Sequence, residues 1–200
     1  MPQPDFEEAM TAHWLQIGIG PRAAAAKLQP ACGNVGQLSE TELKELEVKW
    51  QQKRNAFYIV LAILGGPWNR LAGFDCEDVS HTADHTDIIH YLAASTGDRF
   101  IVEHVEQAAE PNDDIRLTFT HESNRYSFTF QTNGSWVNLP GTLDGLNQVL
   151  EQIGMPERFV ELYNGGGGAG IVAFVLPDAF LPAARELHIR LESTPNVKYD

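Results

Sequence analysis

The sequence predicts an α+β fold: a helical N-terminal half followed by an antiparallel meander sheet with two helices on one face. Three observations carry that prediction. Apolar residues recur at helical spacing through about residue 98. From residue 99 the spacing falls to two, the period of a half-buried strand. Asn133-Gly134, set between FTFQT and SWVNL, is the dipeptide of a tight type I′ hairpin. Residues 1–98 therefore read as a mainly helical region and 99–200 as an antiparallel sheet with helices, the two able to pack as one domain.

The elements follow in order. Phe6, Met10, Trp14 and Ile17 share one helix face, and Gly18, Gly20 and Pro21 end that helix. Ala23 to Leu28 is a short helical stretch closed by Pro30. Ser39 and Glu42 form a capping box, in which each side chain satisfies the other residue's free backbone N–H. The helix they open carries Leu43, Leu46, Trp50 and Phe57 on one face; periodicity leaves Phe57 to Leu64 as its continuation, the favoured reading, or as a buried strand, and Gly65-Gly66-Pro67 stops it either way. A further helix spans Asp84 to Ser95 and ends at Gly97. Alternation then marks Phe100 to Val105, Ile115 to Phe119 and Tyr126 to Phe130 as strands, with SWVNL as the return strand of the Asn-Gly hairpin. Thr142 is expected to cap a helix bearing Leu143, Leu146, Leu150 and Ile153. Phe159 to Tyr163 and Ile171 to Leu176 are strands joined by a glycine-rich loop. Asp178 caps the final helix, with Pro182 tolerated in its first turn.

Composition narrows the function. The 200 residues are 43% apolar and 20% charged, enough to bury a core. A net charge of −13 argues against nucleic acid, whose phosphates require a basic surface, and against an anionic membrane. The longest apolar run, Ala56 to Leu64, is far shorter than the roughly 20 residues of a membrane span. The acidic opening MPQPDFEEAM differs from a secretory leader, and two isolated cysteines make no disulfide framework. A cytoplasmic protein is the expectation.

The charge is concentrated. Between Leu71 and Ile115 eleven acids, Asp75, Glu77, Asp78, Asp84, Asp87, Asp98, Glu103, Glu106, Glu110, Asp113 and Asp114, face a single base, Arg99, for a net −10. Such a concentration costs self-repulsion and suits a basic partner steered in electrostatically. The plainer reading is a solvated acidic surface that keeps the chain soluble. Asp75, Glu77, Asp78, Asp84, Asp87, Glu103, Glu106, Asp113 and Asp114 are the partner-binding candidates. Trp136, one residue beyond the hairpin turn, joins them as an aromatic hot spot.

Catalytic constellations are weak. His81 and His85 stand four apart, as two metal ligands on one helix face would. Thr82, however, occupies the place where a zinc protease carries its glutamate, and His90 falls off that face. A metal-dependent hydrolase built on His81 and His85 is thus the alternative reading, and otherwise these are helix-start histidines. The run Gly165 to Gly168 joins two strands and brings no lysine, which fits a hairpin loop rather than a phosphate cradle. Cys76 stands among Asp75, Glu77 and Asp78, whose charges suppress a reactive thiolate. No cofactor is expected.

Gly134, Trp136, Val137, Asn138 and Leu139, then Leu146, Asn147 and Leu150 on a helix, then Arg158-Phe159 and a strand with Ile171 and Phe174 form an ordered pattern. Over about residues 125–180 this resembles the immunity proteins of bacterial polymorphic-toxin systems, which bind and neutralise a cognate toxin in the cytoplasm. The family pattern carries no catalytic residues. The resemblance implies a non-catalytic inhibitor, and the acidic segment then points to a basic toxin, a nuclease among the candidates. An adaptor of unknown ligand is the remaining reading.

Overall fold

Leu71–Asp75 forms a strand, β1, that the sequence pattern did not announce, and it belongs to a sheet whose other strands come from residues 158–193. The computed structural model describes residues 5–33, 35–76, 85–131, 137–165 and 168–193. The fold is α+β, with helices dominating the first half and two antiparallel sheets following.

Before β1 the described residues form four α-helices, α1 (Phe6–Ile17), α2 (Pro21–Leu28), α3 (Glu40–Lys53) and α4 (Ala56–Gly65), with a short 3-10 turn, Gln29–Cys32, after α2. The capping box at Ser39 and Glu42 is formed, with the Glu42 carboxylate 2.7 Å from the Ser39 N–H. The expected single helix from Glu40 to Leu64 is two. Arg54 adopts a left-handed conformation (φ +50°) that ends α3, and the Asn55 side chain accepts from the Tyr58 N–H at 2.9 Å to start α4. The turn lets both helices bury apolar residues in one core, Leu46 and Trp50 from α3, Phe57, Ile59, Val60 and Ile63 from α4.

Beyond β1 come α5 (His85–Ala94), β2 (Glu103–Glu110), β3 (Asp114–His121), β4 (Asn124–Gln131), α6 (Leu139–Gln152), β5 (Arg158–Leu162), β6 (Ala169–Val175), α7 (Pro177–Glu186) and β7 (Leu191–Ser193). The expected meander divides into a sheet ordered β2-β3-β4 and another ordered β1-β6-β5-β7. Alternation explains the division. Val160, Leu162, Ala173 and Val175 point into the core formed by α1–α4 and α7. Phe159, Val172 and Phe174 point the other way, into a core shared with α5, α6 and the three-stranded sheet. A sheet buried on both faces needs apolar residues on both, hence the continuous run Val172-Ala173-Phe174-Val175. The three-stranded sheet buries one face only: Ile115, Leu117 and Phe119 are inside, while Arg116 is exposed.

Four expectations change locally. Phe100 and Val102 are buried without being in a strand; β2 begins at Glu103, with a bulge at His104 (φ +51°) before the pairing resumes at Glu106. Asn133-Gly134 lies outside the described residues, but Val137 and Asn138 are not in a strand and α6 follows at once. Asn138 rather than Thr142 caps α6, its Oδ1 accepting from the Gly141 N–H at 2.9 Å, because Leu139-Pro140 fits the first turn. Finally, α7 starts at Pro177 with no side-chain cap, so Asp178 lies within its first turn and Pro182 beyond it. There Pro182 withholds an N–H from the carbonyl of Asp178.

Candidate functional site

Six of the described acids, Asp87, Glu103, Glu106, Glu110, Asp113 and Asp114, lie on β2 or on elements next to it. β2 stands at the edge of its sheet, so one row of its backbone N–H and C=O groups has no strand partner among the described residues. The pairing of Glu103 with Thr120, Glu106 with Thr118 and Glu110 with Asp114 puts these three glutamates on one face of the sheet. That face is opposite the buried Ile115, Leu117 and Phe119. Asp113 lies in the turn that follows β2, and Asp87 lies in the first turn of α5, beside β2.

His85 seats α5 there. Its backbone N–H donates to Gln107 Oε1 at 3.0 Å, and the same oxygen lies 3.0 Å from its ring Nδ1. Ring Nε2 accepts from the Asn138 N–H at 3.2 Å, which leaves the ring proton on Nδ1. The ring packs edge-on against Phe130 at 5.0 Å and is 1% exposed. Both nitrogens of His85 are therefore engaged in joining α5, β2 and the start of α6. His81, its expected companion, lies outside the described residues. Among the described residues no three metal-ligating side chains cluster.

The tertiary structure changes the charge reading in two ways. Arg99, the one base within the acidic segment, forms a two-pronged pair with Glu157, whose side chain is almost fully buried. Two arginines from further along the chain approach the acids instead. Arg125 reaches Glu106 at 3.3 Å, both strongly exposed, and Arg116 pairs with Glu110. Exposed pairs of this kind contribute little to stability and are screened by salt. Asp87, Glu103 and Asp113 are exposed and have no ion-pair partner among the described residues. Asp114 is half-buried at the foot of the sheet, and Asp75 is exposed at the end of β1. Glu77, Asp78, Asp84 and Trp136 lie outside the described residues. Sequence reasoning missed Arg116 and Arg125 as members of this surface, although alternation with Ile115 and Leu117 already placed Arg116 on the outer face.

Cys76 follows β1 and is half-buried. Burial, then the charges of Glu161 and Asp75, push its thiol up to about 11, so little thiolate exists at neutral pH. The glycine run joins β5 to β6 as expected, with Gly165 and Gly168 at φ +89° and +75°. None of the described helices is long and apolar enough to cross a membrane. Comparison with protein-family models, with curated proteins and with solved structures finds no match.

Proposed function

We propose that the chain is a non-catalytic binding protein, an immunity-type inhibitor that holds a basic protein toxin through the acidic surface centred on β2. The observation that carries this reading is the set of exposed acids on an edge strand and its flanks, Asp87, Glu103 and Asp113, without cationic partners among the described residues. A field of one sign raises the encounter rate with a basic partner. The open backbone edge of β2 offers hydrogen bonds to an extended segment of that partner, while the glutamates keep two copies from pairing edge to edge. A nuclease fits the charge best, since its substrate-binding surface is itself basic. The inhibitor would act in the bacterial cytoplasm, occluding that surface.

The test compares the native chain with the variant Asp87→Lys, Glu103→Lys, Glu106→Lys as baits in lysate of the source organism. Circular dichroism confirms that both are folded. The expected result is a basic protein held by the native bait, released by rising salt and absent from the variant. A partner retained equally by both baits, or indifferent to salt, overturns the reading.

A further inference from the structure

Away from β2, the start of α1, the loop after β5 and the turn between α7 and β7 enclose a cleft of about 630 Å³. Phe6 and Tyr163 form its apolar wall, their rings edge to face at 5.1 Å. The Arg190 guanidinium lies over the Tyr163 ring, 4.3 Å from its centre, because the Tyr163 N–H donates to the Arg190 carbonyl at 3.0 Å and sets the two side by side. Arg185 enters the cleft from the last turn of α7.

The turn that brings these arginines together is tightly held. Trp14 Nε1 donates to the Leu187 carbonyl at 2.8 Å, and the Ile189 N–H donates to the Ala184 carbonyl at 2.8 Å. His188 between them adopts φ +55° and stacks on His13, ring centres 3.4 Å apart and nearly parallel. In a chain with 27 acids and 14 bases, neither Arg185 nor Arg190 has a carboxylate partner among the described residues. Asp5, the one acid among the described residues that line the cleft, is turned to capping α1, its Oδ1 accepting from the Glu7 N–H at 3.4 Å.

We propose that this cleft binds a small aromatic anion, a phosphate or carboxylate carried on a planar ring. Two guanidinium groups supply forked donors for the anion. Phe6 and Tyr163 supply an apolar wall for the ring. The volume falls within the range of small-ligand sites. The inference does not depend on the acidic surface, which is built from other elements.

The experiment titrates the full chain with phenyl phosphate, benzoate and inorganic phosphate, followed by NMR at the Arg185 and Arg190 Nε–H groups and the Tyr163 ring. Phenyl phosphate or benzoate is expected to move these signals together, saturating with a Kd of about 4 mM or tighter for phenyl phosphate and about 10 mM or tighter for the smaller benzoate, what fragments of these sizes reach at ordinary ligand efficiency. In Arg185→Gln, Arg190→Gln, whose substituted side chains are exposed and whose remaining spectrum reports the fold, binding should weaken at least about tenfold. Tyr163→Leu, with both arginines kept, should erase the preference for phenyl phosphate over inorganic phosphate. Whichever of the two aromatic probes binds names the anion. Unmoved cleft signals with both aromatic probes, undiminished binding by the arginine variant, or inorganic phosphate binding as tightly as phenyl phosphate would overturn the proposal.

Discussion

Asn147 and Phe159 exchange two hydrogen bonds across the interface of α6 and β5. The Asn147 Nδ2 donates to the Phe159 carbonyl at 3.0 Å, and the Phe159 N–H donates to Asn147 Oδ1 at 2.8 Å. A side-chain amide thus takes the place of a neighbouring strand, and it does so 8% exposed. Asparagine is a poor helix former, so this tertiary bond is what holds it in α6. Asn147→Ala leaves two buried backbone groups unsatisfied, each worth roughly 1–3 kcal/mol. Urea denaturation should show a loss of about 2–4 kcal/mol at an unchanged slope. A loss well under 1 kcal/mol would mean that water replaces the amide.

The pair Arg99–Glu157 makes a second prediction, because its two ends differ in exposure: the Arg99 side chain is 33% exposed and that of Glu157 only 3%. Arg99→Met strands a buried carboxylate and should destabilise by up to about 3 kcal/mol, the partial exposure of the arginine lowering the cost. Adding Glu157→Leu should recover most of that loss, since an apolar pair of similar volume needs no compensation. Additive single-mutant effects in the thermodynamic cycle would show that the two residues do not act as a pair.

Thiol chemistry tests the surroundings of β1. Burial lifts the Cys32 thiol to about 12, with Arg70 acting in the opposite sense, and Cys76 stands at about 11. At pH 8 both lie far on the protonated side, so alkylation by iodoacetamide should run roughly two orders of magnitude slower at Cys76, and roughly three at Cys32, than at a free thiol near pKa 8.5. The rate should climb about tenfold per pH unit toward pH 10, as the thiolate fraction does. Rapid labelling of Cys76 in the folded chain at pH 7 would contradict this.

The self-repulsion of the acidic surface has a measurable sign. Glu103→Lys and Asp113→Asn remove exposed negative charge that has no cation beside it among the described residues. The double variant should melt slightly higher than the native chain, by a few tenths of a kcal/mol at most, in low-salt buffer. The difference should fade above about 0.5 M salt, where the screening length drops to a few ångströms. A variant that melts lower at low salt would show that these acids stabilise the fold locally.

Much of the fold was legible because local physics decided it. The capping box at Ser39 and Glu42, the apolar face of α6 and the buried alternation of β3 each answer to nearest neighbours along the chain. β1 escaped notice because Leu71–Asp75 is a short edge strand whose reason to exist is the antiparallel pairing of Leu71 with Ala173 and Asp75 with Ala169, about a hundred residues away. The acidic surface was legible as composition. The arginines that meet it were not, since Arg125 and Glu106 become neighbours only through the three-stranded sheet. His85, readable in sequence as half of a metal pair, is a buried joint between three elements. The cleft behind Arg185 and Arg190 left no motif at all.

By itself, then, the sequence determined the fold class, most of the elements, the sign of the charge and its concentration between residues 71 and 115. These are properties of spacing and composition, which survive without knowing what packs on what. Only the tertiary structure decided that the strands form two sheets, that Arg99 is tied to Glu157 and lost to the acidic surface, and that two arginines meet Tyr163 around one cleft. Burial, pairing and the convergence of distant side chains depend on contacts between remote segments, and no periodicity along the chain encodes those.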